Sequence, residues 1–235
     1  MSAFPGFEHI YSLSDPLSKR PLRGEIDTKI DSFALTRGDV RVSEAITVSW
    51  YMGGAVPSDV VWTGNAGAVI VHRRAVDLLR DGGFTGWRTY PVNVIDKNGD
   101  SYPDYAGLAV LGRCGACDLS RSVVVLAEYP VGWFPHFLGR YFSENSWDGS
   151  DFFMERADVR GSFTGHVFVT ERVRQVFEQA KMKNVRLERL TETSVSAMVY
   201  EAGKDYLLPT DFSRRVDATY TRAGIPRPKR NDRIG

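Results

Sequence analysis

The sequence has few of the residues from which metal and redox sites are usually built. It contains two cysteines and four histidines among 235 residues. A structural zinc site needs about four ligands, so the Cys114-x-x-Cys117 pair supplies only half of one. Two cysteines also form no disulfide framework, and a structural role for both is favoured, with metal binding or redox activity left open. The histidines show no paired spacing and occur at His9, His72, His136 and His166.

Long apolar runs and an excess of charge are lacking too. No stretch approaches the roughly 18 uninterrupted apolar residues of a membrane-spanning helix. The N-terminal segment carries Pro5, Glu8, His9 and Asp15 where a secretory signal is apolar, so we expect a cytoplasmic protein. Thirty basic against 29 acidic residues leave a formal charge of +1, which gives no global attraction for nucleic acid or for a membrane surface.

Catalytic signatures are absent from the sequence as well. It has no G-x-S-x-G elbow. The glycine-rich segments 64–71 and 82–87 match neither a phosphate-binding loop nor a complete dinucleotide fingerprint. The sequence therefore predicts no cofactor.

What the chain does have is a clear strand-helix-strand pattern at residues 165–190. His166–Val169 is a β-rich run, after which Thr170 is placed to cap a helix and Glu171 complements its dipole. Asn184 can supply a left-handed exit from the helix, and a second extended run follows. The buried face of the helix is predicted from the apolar residues Val173, Val176, Phe177 and Ala180.

A weaker copy of this pattern occupies residues 67–92. At an offset of 98 residues (165 minus 67), the apolar helical face is reproduced and five residues are identical in both copies. Internal duplication and convergent packing both stay open. Either way, the sequence predicts a mixed α/β, or α+β, fold built on two similar units with additional antiparallel strands. The identical residues of the first copy are Gly67, Val69, Val71, Arg74 and Arg88.

Other periodic segments supply the additional strands. The strand predicted at Ser122–Tyr129 contains an apolar run, 123–127, which predicts burial on both faces, and Asn98-Gly99 predicts a hairpin turn. Pro130–Asp151 has no sustained period, so we expect a long loop with one helical turn at Phe137–Tyr141. The remaining predicted strands are 8–13, 46–52, 60–62, 87–95 and 105–111, and 194–200 is predicted to be a short strand or the start of a helix.

These segments predict three regions along the chain. An N-terminal arm, 1–45, packs on the core. A mixed α/β body, 46–212, consists of two similar halves, about 46–129 and 130–212. The last region, 213–235, is a basic and mobile tail.

The segment from Trp147 to Phe153 carries two carboxylates three residues apart, Asp148 and Asp151. Carboxylate oxygens suit a hard cation, although a metal site needs more oxygens than this pair supplies. The favoured interpretation is a turn in which Asp148 caps backbone groups while the flanking aromatic residues enter the core. A cation site or a contact with a basic partner is left open.

The order of several short motifs resembles a bacterial family, the immunity proteins of the Imm-eleven type, which are frequent in myxobacteria. The resemblance covers about residues 60 to 192 and rests on the order of the motifs, since none is specific by itself. The matching segments are Gly83–Trp87, Tyr90–Val92, Tyr105–Leu108, Gly112–Gly115 with Asp118 and Ser120, Trp147–Phe152, Val167–Glu171 and Asn184–Arg186.

The resemblance implies a non-enzymatic cytoplasmic protein of a polymorphic toxin system, which binds and neutralises a cognate toxin often encoded by a neighbouring gene. Family likeness does not fix function, and no motif carries the toxin-contacting residues. Aromatic anchors beside charges are typical of interface centres. The predicted partner-binding residues are therefore Trp133, His136, Tyr141, Trp147, Asp148 and Asp151.

Two other functions stay open from the sequence. One is a metal-dependent hydrolase that acts on a nucleotide or phosphoester through Asp148, Asp151 and a nearby histidine. The other is a nucleic-acid-binding module that uses the basic C-terminal tail, although a solvated flexible end is favoured there because few aromatic residues alternate with the arginines.

Overall fold

In the computed structural model, the structure describes residues 6–17, 20–26, 31–64, 67–156, 165–197 and 208–227. The chain divides into two compact units. The larger unit comprises Met1–Ala116 and Phe142–Leu190, and the smaller unit comprises Cys117–Tyr141 and Thr191–Gly235. The chain thus leaves the larger unit and returns to it before completing the smaller one.

The described elements are mainly strands with some helices, which confirms the predicted mixed α/β fold. The helices are α1 Ser32–Thr36, α2 Arg73–Asp81, α3 Glu171–Gln179 and α4 Phe212–Ala223. The strands are β1 Ile10–Ser14, β2 Arg23–Ile26, β3 Ile46–Met52, β4 Val60–Trp62, β5 Val69–His72, β6 Trp87–Ile95, β7 Ser101–Tyr102, β8 Tyr105–Val110, β9 Gly112–Cys114, β10 Val123–Tyr129, β11 Gly132–Leu138, β12 Phe152–Glu155, β13 Val167–Thr170, β14 Arg186–Arg189 and β15 Ser194–Ser196.

One sheet of the larger unit curves until its two edges meet. Its strand order is β2-β3-β6-β8-β5-β4, with β7 paired to β6, and a parallel bridge between Gly24 and Thr63 links the two edge strands. Val48, Ile70 and Val94 are fully buried inside this curved sheet. The sheet therefore encloses a core of its own.

The second sheet of the larger unit has the order β14-β1-β13-β12-β9. Its strand β1 confirms the strand predicted in the N-terminal arm, but β1 lies inside the sheet, between β13 and β14. The predicted arm thus contributes an inner strand to the body. Backbone pairing on both sides of β1 is the physical reason, because an inner strand satisfies its N–H and C=O groups in two directions.

The two predicted strand-helix-strand units are confirmed, and their bounds agree at the predicted offset. Strands β5 and β13 start at Val69 and Val167, and helices α2 and α3 start at Arg73 and Glu171. Each unit also has an antiparallel strand outside its first strand: Val60 of β4 pairs with Val71, and Phe152 of β12 pairs with Val169. The equivalence therefore includes the strand that precedes each unit.

The loops that leave the two helices have the same backbone conformation. Gly83 and Lys181 have φ values of 63° and 52°, and Gly86 and Asn184 have φ values of 81° and 60°. Both pairs are 98 residues apart. This confirms the left-handed exit predicted at Asn184 and extends it to the first copy, where glycine takes the same role without steric cost.

Each unit is completed by an antiparallel strand that lies between its two own strands. In the first unit β8 pairs with both β5 and β6, and in the second β1 pairs with both β13 and β14. Strand β8 follows its unit in the chain, whereas β1 precedes its unit by more than 150 residues. The same local topology is therefore closed by different parts of the chain.

In its described residues, the smaller unit is a three-stranded antiparallel sheet with one helix packed on one face. The strand order is β10-β11-β15, and α4 packs on it through Phe212, Val216 and Tyr220, all buried. These three residues are spaced four apart and form one helical face. Within this unit, apolar burial on that face holds the helix to the sheet.

Four predictions fail in and around the smaller unit. Pro130–Asp151 is not one long loop, because β11 pairs with β10 along its whole length. Strand β10 is not buried on both faces, since α4 covers one face only and Val123 is exposed. The predicted boundary between residues 129 and 130 falls in the turn of the β10–β11 hairpin, so it separates no domains.

The fourth failure concerns the tail. Residues 212–223 are the helix α4, although 213–235 was predicted to be mobile. In the sequence, the many arginines of this segment made the apolar face of the helix difficult to recognise. The part of the predicted tail at 228–235 lies outside the described residues, as do residues 198–200 of the predicted strand within 194–200.

Candidate partner-binding surface

Asp59, just before β4, ties the first helical unit to the second. Its Oδ2 accepts hydrogen bonds from Nη2 of Arg74 at 3.0 Å and from the backbone N of Lys183 at 2.7 Å. Its backbone carbonyl accepts a hydrogen bond from the N of His72 at 2.8 Å. One aspartate thus connects the start of α2 with the loop that follows α3.

Asp151, just before β12, makes the same set of contacts in the second unit. Nη1 of Arg172 lies 3.2 Å from both carboxylate oxygens, and the backbone N of Thr85 donates to Oδ2 at 3.0 Å. The carbonyl of Asp151 accepts from the N of Thr170 at 3.1 Å. Each of these three partners lies 98 residues from its counterpart at Asp59.

The two arginines also exchange contacts at the ends of the helices. Nη2 of Arg74 donates to the carbonyl of Ala180 at 3.0 Å, and Nη2 of Arg172 donates to the carbonyl of Gly82 at 3.2 Å. Gly82 and Ala180 are the C-cap residues of α2 and α3. Since the last carbonyls of a helix lack partners within it, each copy supplies a missing donor to the other. We call the contacts around Asp59 and Asp151 the paired Asp-Arg framework.

Threonine at the start of α3 does not serve as predicted. Thr170 occupies the N-cap position, but its side chain caps no backbone N–H of the helix. Its Oγ1 instead donates to Oδ1 of Asp151 at 2.9 Å. This bond orients Oγ1 toward Asp151, and the side chain accepts no backbone N–H of the helix.

An open cleft of about 550 Å³ lies beside the framework at Asp59 and has ten lining residues. Among these, Nδ1 of His72 accepts from the backbone N of Arg74 at 3.1 Å. The His72 ring meets the ring of Tyr105 edge-on, with centroids 5.1 Å apart, and the Tyr105 hydroxyl donates to the carbonyl of Ser58 at 2.9 Å. These bonds hold the cleft walls in place.

Basic residues dominate the ionic side chains of this cleft. Arg20, Arg74 and Lys183 line it together with one carboxylate, Asp59. Asp59 is already engaged with Arg74 at 3.0 Å. Within the described ranges, the Lys183 ammonium has no hydrogen-bond or ionic partner, and the side-chain bonds of Arg74 all involve Nη2. The cleft therefore has donors to spare.

A run of exposed apolar residues lies at the end of β3, next to the cleft. Trp50, Tyr51 and Met52 are 38%, 46% and 41% exposed, and Val56 is 68% exposed. Val56 also lines the cleft. Large exposed apolar side chains that cluster beside polar groups mark interaction surfaces. We call Trp50–Val56 together with the cleft the β3 surface.

Contacts within the larger unit explain why the run and the cleft are neighbours. Met52 pairs with Arg23 across β2 and β3. The backbone N of Gly54 donates to the carbonyl of Arg20 at 2.8 Å, so the turn after β3 is bound to the cleft wall. The turn that carries Val56 is therefore held against the cleft wall at Arg20.

Three of the predicted partner-binding residues lie in the larger unit, in the turn before β12. Asp151 is buried in the framework, so a partner has no access to it, which corrects the prediction for this residue. Asp148 is exposed and caps backbone groups as expected, accepting from the N of Ser150 at 3.0 Å and from the N of Arg113 at 2.7 Å. Trp147 is half-buried against Phe153, with ring centroids 5.0 Å apart.

The other three lie in the smaller unit, on or just after β11. Tyr141 is buried, so the prediction of an accessible contact is corrected there as well. Trp133 is half-buried in the core under α4, and its carbonyl accepts from the hydroxyl of Tyr220 at 2.7 Å. His136 is buried, with Nε2 3.0 Å from the Tyr129 hydroxyl and Nδ1 2.9 Å from Oγ of Ser194. Burial lowers the pKa of His136.

The two alternative functions also depend on residues that the structure places. All the carboxylate oxygens of Asp148 and Asp151 accept hydrogen bonds from protein groups. In the described part of the chain, no group of three or more His, Cys, Asp or Glu residues is arranged to hold a metal ion. Cys114 and Cys117 are both thiols.

The nucleic-acid alternative depends on the basic C-terminal segment. In α4, Arg215 donates to the carbonyls of Leu119 and Ser122, so it holds the helix to the sheet.

Sequence reasoning overlooked the β3 surface. Trp50, Tyr51 and Met52 belong to the strand that was correctly predicted at Ile46–Met52, and the alternation of β-branched and aromatic residues predicted the strand without their exposure. The available signal was the Gly53-Gly54 pair directly after them, because a strand that runs out into a glycine turn exposes its last residues. Arg20, His72 and Lys183 come from segments far apart in the sequence and gave no signal.

No protein-family model and no curated protein matches this chain. None of the helices in the described ranges has the length and apolar character that crossing a bilayer requires.

Proposed function

We propose that this chain is a non-enzymatic immunity protein that binds and neutralises a cognate toxin through the β3 surface. The observation that carries the proposal is the run Trp50–Met52, in which three consecutive large side chains are each more than a third exposed. Solvation of such groups is unfavourable, and a binding partner would relieve it. The motif order that resembles the Imm-eleven-type family supports the nature of that partner.

The composition of the β3 surface agrees with that of interface centres. Trp, Tyr, Met and Arg are the residues enriched there, and a few of them carry most of the binding free energy. Here Trp50, Tyr51 and Met52 lie beside a cleft that contains Arg20 and Arg74. The framework at Asp59 holds one wall of the cleft rigid, which lowers the entropy lost on binding.

The direct experiment is co-expression of the full chain with the product of the neighbouring gene, followed by co-purification and a growth assay. We expect a complex and relief of toxicity. The variant Tyr51→Ala should raise the Kd about tenfold, since truncation of a central aromatic costs more than about 1 kcal/mol. Val56→Ser should weaken binding in the same direction.

A matched control comes from the smaller unit. Val131 is 85% exposed, which exceeds the exposure of Val56, so Val131→Ser tests the loss of an exposed valine that is not part of the proposed surface. It should leave the Kd unchanged. If the neighbouring gene product neither binds the chain nor has its toxicity relieved, the immunity function is wrong. If binding is kept in Tyr51→Ala and lost in Val131→Ser, the surface assignment is wrong.

A further inference from the structure

The paired Asp-Arg framework has two equivalent sites, one at Asp59 and one at Asp151, which can be compared with each other. Asp59 with Arg74 and Asp151 with Arg172 make equivalent bonds in the two copies, so these four side chains are accounted for by the architecture. Side chains that surround only one of the two copies have a different explanation. Such residues are candidates for ligand contacts.

Three equivalent positions differ in a consistent way. His72 at the Asp59 site stands where the Asp151 site has Thr170, and Lys183 stands where that site has Thr85. Across the ladder, His72 pairs with Tyr105, while Thr170 pairs with Ile10. The Asp59 site therefore carries longer polar or charged side chains, and it is the site with the 550 Å³ cleft.

The threonines of the Asp151 site have internal partners. Oγ1 of Thr170 donates to Asp151 at 2.9 Å, and Oγ1 of Thr85 lies 3.3 Å from the same carboxylate. At the Asp59 site the Lys183 ammonium has no such partner among the described residues, although its backbone N makes the framework bond. His72 uses Nδ1 as an acceptor, so the neutral ring carries its proton on Nε2 and has a donor remaining. Both side chains offer donors that the framework does not need.

We propose that this cleft receives carboxylate groups from an acidic segment of the protein partner, an inference that rests on the proposed function. The charges in the cleft are complementary to it: its single carboxylate, Asp59, is already paired with Arg74, whereas the Lys183 ammonium has no ionic partner among the described residues. Guanidinium groups bind carboxylates through directed, charge-assisted hydrogen bonds. Val56 supplies an apolar contact for the aliphatic part of a Glu or Asp side chain.

The neighbouring surface restricts where the acidic segment lies. On the other side of His72, a second depression is lined by Asp77, Asp81 and Asp104. Asp104 is paired with Arg73 at 3.0 Å, and Asp77 with Arg80 at 3.1 Å. Arg73 and Arg74 also line this depression, so its charges nearly balance and it offers an acidic chain less attraction than the cleft at Asp59.

The test uses the full chain, labelled with ¹⁵N, and a capped hexaglutamate peptide at low salt. We expect saturable changes in the amide resonances of His72, Arg74 and Lys183 that fade as salt is added, because exposed charge pairs are screened. The equivalent amides of Thr170, Arg172 and Thr85 are the control within the same molecule and should not move. Equal changes at both sets, or changes at neither, overturn the proposal.

The variant Lys183→Thr introduces the residue type found at the equivalent position of the Asp151 site, and it keeps the backbone N–H that binds Asp59. It should raise the Kd for hexaglutamate about two- to fivefold, the range expected for one exposed ionic contact. His72→Thr serves as a second variant with the same direction of change. Unchanged affinity in both variants overturns the proposal, and so does tighter binding of a ten-residue oligothymidine at the same amides, which would make nucleic acid the occupant.

The outcomes separate this inference from the proposed function. If the neighbouring gene product binds and Tyr51→Ala weakens it while Lys183→Thr does not, the carboxylate site is wrong and the immunity function stands. If hexaglutamate saturates the cleft but the gene product does not bind, the proposed function fails although the cleft is a carboxylate site.

Discussion

Asp59, which precedes the first strand-helix-strand copy, binds the second copy, and Asp151, which precedes the second copy, binds the first. Asp59 accepts the backbone N–H of Lys183, 124 residues away, and Asp151 accepts the backbone N–H of Thr85, 66 residues away. Each aspartate also holds the arginine at the start of its own helix. In each copy, the loop after the helix donates a backbone N–H to the aspartate that precedes the other copy. We therefore expect the two copies to unfold together.

The first prediction compares the two aspartates. The Asp151 side chain is 6% exposed and that of Asp59 is 16% exposed, and Asp151 has two additional threonine contacts. We expect Asp151→Ala to lower the free energy of unfolding by about 2 to 3 kcal/mol, because buried donors lose their acceptor, and Asp59→Ala by about 1 kcal/mol. Urea denaturation measures both. A larger loss for Asp59→Ala contradicts the ranking.

The second prediction concerns pH and Glu171. Hydrogen bonds from Arg174, with smaller ones from Tyr11 and Gln175, lower the pKa of this carboxyl to about 2. A carboxyl with a lowered pKa stabilises the fold above its unfolded pKa of roughly 4.3, and this contribution is lost as the pH falls toward 2. Glu171→Gln should therefore be less stable than the parent by about 1 kcal/mol at pH 7 and equally stable near pH 2. A difference in unfolding free energy that does not shrink on acidification is the contrary result.

The third prediction concerns His136 in the smaller unit. Burial lowers its pKa, so the folded ring resists protonation. Below about pH 6.5 the unfolded chain takes up a proton that the folded histidine does not, and stability is lost as the pH falls from there. The difference in unfolding free energy between the parent and His136→Gln should narrow between pH 7.5 and 5.5. A His136 ring that titrates above 6.5 by NMR would contradict this.

The fourth prediction contrasts two neighbouring arginines of α4. The Arg215 side chain is 20% exposed and donates to carbonyls before and at the start of β10, whereas Arg214 is 82% exposed. Arg215→Ala should destabilise the smaller unit by about 1 to 2 kcal/mol, because charged hydrogen bonds to backbone carbonyls are lost. Arg214→Ala should change the unfolding free energy by less than about 0.5 kcal/mol. Hydrogen exchange of the α4 amides would show the same order, and equal effects would contradict it.

Local patterns predicted most of the larger unit. The strands at Ile46–Met52, Val60–Trp62 and Trp87–Ile95 have the predicted bounds. The two helices agree with the apolar period, and their offset of 98 residues holds. Such features depend on side chains three or four residues apart in helices and two apart in strands, so the sequence displays them directly.

Prediction from the sequence failed where the strand that pairs with a segment is distant in the chain. Nothing near Ile10 indicates that β1 completes the second copy between β13 and β14. Nothing near Gly132 indicates that β11 receives β15 from residues 194–196. Aromatic residues at Trp133–Tyr141 were predicted to be available to a partner, but whether an aromatic side chain is in the core or on the surface depends on what covers it.

By itself the sequence determined the repeated strand-helix-strand units, the mixed α/β class and the near balance of charge, because each is a property of neighbouring residues or of composition. The tertiary structure alone decided that Asp151 is a buried link while the equivalent position at Asp59 borders an open cleft. The physical reason is that both aspartates make the same local bonds, and the difference comes from His72, Tyr105 and Lys183, which only the fold brings together.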